Sequence, residues 1–584
     1  MYKPPLYSTD KKREMISTFK GYVHKPVIDE NEFFYEENLS SDAYPIIAPR
    51  KKRAFFNVTG DGLHGLFSKK KIVYVNNGRL YYGGEPFDGI ELPPVDGERF
   101  FVSMGTRLII FPDKLYINTE NPDEFGSLEA FFEGEKAQCT LCRGDGDLYE
   151  GYSVGASPPE NPSHGALWVD TSLTEHQLKQ YSAETLTWVE LEDKYIRISC
   201  PEIGKSFKEY DSVELEGFEA AGLVGNHIIY DKGDDYIVVA GLLDTNVEIN
   251  THFCVSRIVP DMDFVCESGN RLWGCSSKTN EIFASKLGDP TNFYTYMGIS
   301  TDSYTASVGS DGDFTGVISY RGYILFFKEN CVHKIYGSNP PYTITSSYIR
   351  GVQKGSHGSL LCLNETLYYK SPKGICSFEG GVPVEVSADL GSGYYTDAVA
   401  GALNNKYYIC MTNVNSQREL FVYDEEYALW HREGLLDVKA FANNNMNLYF
   451  IAEIDGERRL GLIDGENRYG NFTGALMGYH TESDCEWLLE TGLWGLELPE
   501  NKYYTNIRIR AIGEKGASLK VYIQYNSDGR WLQQLVTPIE KTGSVNLPFI
   551  TPRCDHLKLR IQGKGSVRII SISRNVESGS EIDV

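Results

Sequence analysis

A unit that recurs between about Gly62 and Gly465 constrains this chain most. Each copy pairs two short runs of β-branched and aromatic residues, split by Gly, Asn or Asp turns. In RAFFNVTGDGLHGLFSKKKIVYVNNGRLYYGG, Ile72 to Val75 and Leu80 to Tyr82 read as strands, with Asn76-Asn77-Gly78 as the hairpin turn. The unit returns around Leu108 to Phe111 and Leu115 to Ile117, and again in MDFVCESGNRLWGCSSKTNEIFASKLGDPTNF and GVISYRGYILFFKENCVHKIYG. Three further copies follow: SLLCLNETLYYKSPKGICSFEG, AGALNNKYYICMTNVNSQRELFVYDEEYALWHRE and KAFANNNMNLYFIAEIDGERRLGLIDG. Aligning Gly269-Asn270-Arg271, Arg321-Gly322, Asn364-Glu365 and Asn404-Asn405 gives a spacing of roughly 40 to 50 residues, that of a four-stranded propeller blade. Counting units gives six or seven blades. A blade cannot bury both faces alone, so the array must close, and one route pairs a strand near Ala54 to Val58 with the last blade.

The rhythm stops between about Gly146 and Leu243. That stretch opens on the Pro-rich SVGASPPENPSHGALWVDTS and continues as LKQYSAETLTWVELEDKYIRISC, whose alternation marks a small β-module. Beyond about Tyr479, YYTNIRIRAIG, ASLKVYIQYNSDGRWLQQL, GSVNLPF, HLKLRIQG and SVRIISISRN alternate strictly, with Arg508, Arg510, Lys558 and Arg560 on one charged face. This reads as an antiparallel β-sandwich. The expected organisation is therefore all-β: an extended N-terminal arm over 1–42 that docks on a neighbour, the first part of a β-propeller over 43–145, and an inserted β-rich module over 146–243. The rest of the propeller occupies 244–478, a C-terminal sandwich 479–576 and a frayed tail 577–584.

Composition agrees with short strands and tight turns: 57 Gly and 39 Tyr among 584 residues, too many residues for one core. A net charge of −24 repels nucleic acid as a whole, since gripping a duplex takes Lys and Arg that release counterions from phosphates. The same charge suits a conduit wall to which passing DNA does not stick. No apolar run reaches membrane-spanning length, and no secretory signal precedes MYKPPLYSTDKKRE. Synthesis in a reducing cytoplasm with free thiols is the expectation for the 12 Cys.

Several of these segments resemble bacteriophage tail proteins. They are EENLSSDAYPIIAPRKKR, GLHGLF with VYVNNGRLYYGG, LGDPTNFYTYMGISTD, GYILFFKENCVHKIYG and VYDEEYALWHRE. The relatives named by this resemblance are packaged-DNA stabilisation and nozzle-type tail proteins of short-tailed phages, and prophage proteins of Gram-positive gut bacteria. GALWVDTS, followed by LKQYS and TW, looks like a small module of phage tail and fibre proteins. The resemblance implies a structural virion protein made in the host bacterial cytoplasm. It would form a ring, commonly sixfold, below the portal and adaptor, extending or sealing the DNA channel and helping to retain and deliver packaged DNA. Partners would be copies of itself, neighbouring portal, adaptor or tail proteins, and genomic DNA passing without sequence-specific contact. The alternative is a distal receptor-binding or adhesion protein that recognises cell-surface glycan.

Candidate chemistry is sparse, and the chain is expected to be no enzyme, with no cofactor and no metal. Cys139-Thr-Leu-Cys142 has the spacing of half a zinc knuckle or a redox pair, but no second CxxC follows. Asp261, Asp263 and Glu267, or Asp302, Asp311 and Asp313, could mimic the carboxylate pair of a glycosidase, while turn chemistry explains Asp311-Gly312 without catalysis. His431 and His333 sit in apolar strands without a triad partner in sequence. Lys69, Lys70 and Lys71, with Lys51, Lys52 and Arg53, form basic runs, read either as solvated turns or as contacts to an acidic neighbour in a ring. Trp168, Tyr181 and Trp188 are candidates for stacking on sugar rings or, otherwise, the small core of the insert.

Overall fold

A computed structural model describes residues 11–95, 98–497, 501–547 and 552–578. Residues 1–10 of the expected arm and 579–584 of the expected tail lie outside these. The fold is all-β: a β-propeller with an inserted β-module and a C-terminal β-sandwich, with only short 3-10 turns besides strands among the described residues. The chain divides into two compact units. One holds the residues up to Arg99, Phe326–His333 and Ser346 onward; the other holds Phe100–Leu325 and Lys334–Thr345.

In the first unit, blade sheets are built from His64–Lys69 to Glu85–Glu91, from Leu361–Leu363 to Val384–Glu385, and from Thr396–Leu403 to Leu429–Leu435, each with strands in chain order. The last blade takes Asp437–Asn444, Asn447–Ile454 and Glu457–Leu462, and is completed by Ala54–Thr59 from the beginning of the chain. Leu462 pairs with Ala54 and Arg459 with Thr59, the closure anticipated for this strand. Strand alternation then does two jobs at once. Phe56 points into the core with Tyr449, Ile451 and Tyr74, while Phe55 joins Phe450, Leu420 and Val422 on the other side. Turn chemistry sets the hairpins: Asn77 and Gly78 both take positive φ (50° and 76°), the left-handed pair that a two-residue hairpin requires.

The sandwich of this unit packs two sheets around Trp487, Leu489, Ile509, Leu519, Val521, Leu559, Ile561 and Ile569. Every strand read from the sequence is present, but each sheet also contains a strand of the N-terminal arm. Lys11–Ile16 pairs antiparallel with Val567–Ser578, and Phe33–Glu37 pairs with Glu486–Thr491. The arm expected to dock on a neighbour thus has its described strands inside its own chain. An edge strand offers unpaired N–H and C=O groups, and these short segments satisfy them. Residues 577 and 578, assigned to the tail, end the last strand.

In the second unit, Phe100–Met104 to Phe125–Ser127 and Phe264–Glu267 to Tyr304–Ser307 are blade sheets, sharing a core of Val102, Ile109, Phe111, Leu272 and Phe283. Gly316–Tyr320 to Thr343–Ser347 form a further four-stranded blade sheet that is assigned to neither unit alone. Seven sheets of blade type are therefore present among the described residues. The insert is larger than the sequence placed it. Its eight-stranded sheet starts at Ala130–Gly134 and ends at Phe253–Arg257, with a second sheet, Ser153–Gly155 to Thr187–Glu190, within it. Ala137–Cys142 resembles a blade strand in composition, yet pairs with Tyr195–Ser199 and Val247–Ile249.

Candidate functional site

A cleft of about 930 Å³ lies in the first unit beside the last two blades and the segment His480–Glu486 that leads into the sandwich. Phe55, Leu435, Leu436 and Ile454 form its apolar part, and Leu435 is 56% exposed. Around them, guanidinium and carboxylate groups alternate. Arg53 Nη2 lies 2.6 Å from Glu433 Oε2, both side chains buried, and Arg50 Nη1 lies 2.8 Å from Glu482 Oε2. The Arg53 N–H donates to Glu482 at 3.0 Å, and the Glu482 N–H returns to the Arg53 carbonyl at 2.9 Å. Burial works against ionisation of Glu482, but the hydrogen bond and charge of Arg50, aided by Arg53, outweigh it and hold the carboxyl below its ordinary value.

Behind this cleft the arm is bound to the blade ending at Leu435. The Tyr22 N–H donates to the Trp430 carbonyl at 2.8 Å, and the Asn38 N–H to that of Arg432 at 3.2 Å. Glu36 and His431 face each other at 2.5 Å, both buried, and Arg432 reaches Glu37 at 3.0 Å and Glu419 at 2.8 Å. Burial raises the Glu36 carboxyl above its usual range although His431 and Arg432 pull it down. His431, a bare strand histidine in the sequence, is thus half of the pair that anchors the arm.

The basic runs divide in the structure. Lys51 pairs with Asp464 at 2.7 Å, Lys52 with Asp484 at 2.8 Å, and Arg53 is buried, so this run serves contacts inside the chain. Lys69 is buried as well, whereas Lys70, in a left-handed turn, and Lys71, over the Tyr82 ring, are exposed. The three lysines form no continuous basic surface. What the sequence missed is the anionic half, Glu433 and Glu482, nearly four hundred residues and more from their cations. The RKKR run was the only available signal.

The remaining candidates take structural positions. Asp261 is bound to Lys114 at 2.8 Å, Asp263 accepts from the Ser277 N–H at 2.6 Å and Glu267 from that of Asn270 at 2.9 Å. Asp302 caps a turn through the N–H groups of Met297, Gly298 and Ile299. Asp311 and Asp313 lie in an exposed turn. Cys139 and Cys142 are buried in one strand, where desolvation pushes both thiols up to about 12. Burial lowers His333 to about 4, so it stays neutral at pH 7. Trp168, Tyr181 and Trp188 do come together, the Trp168 and Tyr181 rings each centred 5.4 Å from that of Trp188.

A buried cation went unread in the sequence. Lys370 sits in the strand Thr366–Lys370 and donates to Gln353 at 2.9 Å and to the Ser371 carbonyl at 2.6 Å. Desolvation lowers it to about 8 from the ordinary 10.5. The folded chain therefore releases this proton before the unfolded chain does. Stability should rise as pH climbs from about 8 towards 10.5, by about 3 kcal/mol from this group alone. Lys370→Met should flatten that rise in urea titrations across the range; an unchanged profile would remove Lys370 as its cause.

No protein-family model matches the chain, and no curated protein matches it. Solved structures do. An exo-β-1,3-galactanase of Phanerochaete chrysosporium is 10% identical, covering 53% of this chain and 94% of its own, at a TM-score of 0.22. A GH43 glycoside hydrolase with endo-xylanase and exo-arabinofuranosidase activity is 10% identical over 55% of this chain and 98% of its own, at 0.21. AztD of Citrobacter koseri is 11% identical over 68% and 87%, at 0.23. At these scores none transfers an activity. They do correct the expectation that the chain is no enzyme: the solved structures it matches include glycoside hydrolases, so a blade architecture without a familiar catalytic motif does not exclude catalysis.

Proposed function

We propose that this chain is a structural protein of a bacteriophage tail. Copies of it form a ring below the portal and adaptor, which extends or seals the DNA channel and helps to retain and deliver packaged DNA. The observation that carries this reading is the cleft at the end of the Leu429–Leu435 strand. The arm covers the strand edge at Trp430 and Arg432, whereas Leu435 beyond it remains open beside charges of both signs. Leucine on an accessible cleft floor, framed by Arg418, Arg459, Asp437 and Glu453, suits an extended segment of a neighbouring protein, with charge fixing its register. The sequence resemblance to tail proteins supports the same assignment, and a net charge of −24 keeps passing DNA off the wall.

Two measurements test it. Immunogold labelling of intact phage particles should place the protein at the head–tail junction or along the tail axis; absence of label from particles would sink the proposal. In solution, Leu435→Asp should shift sedimentation from an assembled species to the monomer without moving the melting temperature by more than a few degrees. An assembly unaffected by this change would remove the cleft from the interface.

A further inference from the structure

The smaller sheet of the insert has two faces, and its aromatic residues are on the unexpected one. Cross-strand partners share a face of a sheet. Trp168 is in register with Lys179, Lys179 with Glu190, and Tyr181 with Trp188, so these five side chains share one face. The other face carries Val169 and Leu178, which pack with Leu141 and, around them, Tyr149, Tyr152, Leu167, Leu191 and Leu242. That second face is the core of the module. Core formation therefore does not explain the tryptophans.

The aromatic face is layered. Trp168 lies at its base, only 5% exposed, with its Nε1–H donating to the Gly155 carbonyl at 2.9 Å and the Lys179 ammonium over its ring at 5.4 Å. Trp188 meets it edge-on, and Tyr181 tilts against Trp188. Both outer rings stay partly open to solvent. The polar groups around them are balanced in charge. Lys179 holds Asp170 at 2.7 Å, Lys194 holds Glu190 at 3.3 Å, and Gln177 stands opposite Asp170 in the ladder.

We infer that this face is a binding site for a neutral saccharide, with a pyranose ring seated on Trp188 and Tyr181. The C–H-bearing face of a pyranose is apolar and slightly positive, which complements the negative face of an aromatic ring. Its hydroxyls need donors and acceptors at the rim, and Lys179, Asp170, Gln177 and Glu190 supply both. Paired charges of opposite sign give no net attraction for phosphate or for a strongly charged ligand. A polar rim this close to the rings is equally unsuited to a broad apolar partner. Trp168, already held by its own hydrogen bond, fixes the orientation of Trp188 before any ligand arrives, which lowers the ordering cost of binding.

The full chain should be applied to an array of purified bacterial capsular and cell-wall polysaccharides, and the strongest hit titrated by tryptophan fluorescence. Binding to at least one neutral polysaccharide is expected, with affinity reduced at least tenfold in Trp188→Ala and clearly reduced in Tyr181→Ala. Both side chains are partly exposed, and matching melting curves would show that the variants fold. Gln180→Ala, on the opposite face of the same strand, should bind as the unchanged chain does. Failure to bind any polysaccharide, equal binding by Trp188→Ala, or use of this face to hold a second copy of the chain would each overturn the inference. None of these results depends on where the protein sits in a particle.

Discussion

A chain beginning at Ser40 is expected to lose the folded state of the first unit rather than merely an appendage. The removed segment takes with it Phe19, Tyr22, Phe33 and Leu39, all buried against sandwich or blade. At about 1.5–3 kcal/mol for each fully buried side chain, the loss is about 6–12 kcal/mol, comparable with the whole stability of a typical domain. The truncation also strips one strand from each sandwich sheet and leaves Arg574, whose partners are Glu14 and Glu30, as a buried cation without either. Urea unfolding and limited proteolysis should show early cleavage between 486 and 578. An unchanged urea midpoint would mean that the arm is an ornament.

Arg53→Ala is expected to cost about 3–5 kcal/mol, the range seen when one partner of a buried ion pair is removed. Glu433 would stay buried with its nearest cation gone, Arg50 remaining at 3.9 Å. The double variant Arg53→Met with Glu433→Leu should recover most of the loss, because it removes both charges and refills the space. A fully additive double variant would show that packing, and not charge, makes the site sensitive. Acid gives an independent check. Since Glu482 has its carboxyl depressed in the folded chain, its stabilisation is present above the ordinary glutamate value of 4.5 and fades as pH falls through the lower folded value. Arg50→Met should therefore blunt the acid-induced loss of stability below pH 4.5.

The blades were legible because their information is local. Asn77-Gly78 dictates a hairpin by itself, and the runs around Tyr74 and Phe326 declare strands whatever lies elsewhere. The closure by Ala54–Thr59 could be anticipated from geometry, since an array of blades must end somewhere. The arm strands could not. Phe33–Glu37 reads FFYEE, too short to show a period, and its partner is some 450 residues away. The true limits of the insert were hidden for a related reason. Ala137–Cys142 has the composition of a blade strand, and only its pairing reveals its allegiance. At the cleft, RKKR was visible but its carboxylates were not, because nothing in a sequence says which of 80 acidic residues will face a given arginine. The aromatic trio could be named from the sequence, but that the three rings meet, and on which face of the sheet, depends on a register that only the fold supplies.

The order in which the chain leaves the ribosome gives the arm another meaning. Lys11–Ile16 and Ala54–Thr59 are made hundreds of residues before their partners, Val567–Ser578 and Glu457–Leu462. Both early strands must wait, unpaired, until those partners emerge. Contacts so distant in sequence close slowly, and they cannot close at all on a prematurely terminated product. A truncated chain would keep its early strands unsatisfied and exposed to proteases and chaperones. The first unit thus makes its early strands depend on its late ones, because only a chain that has reached those partners can bury them.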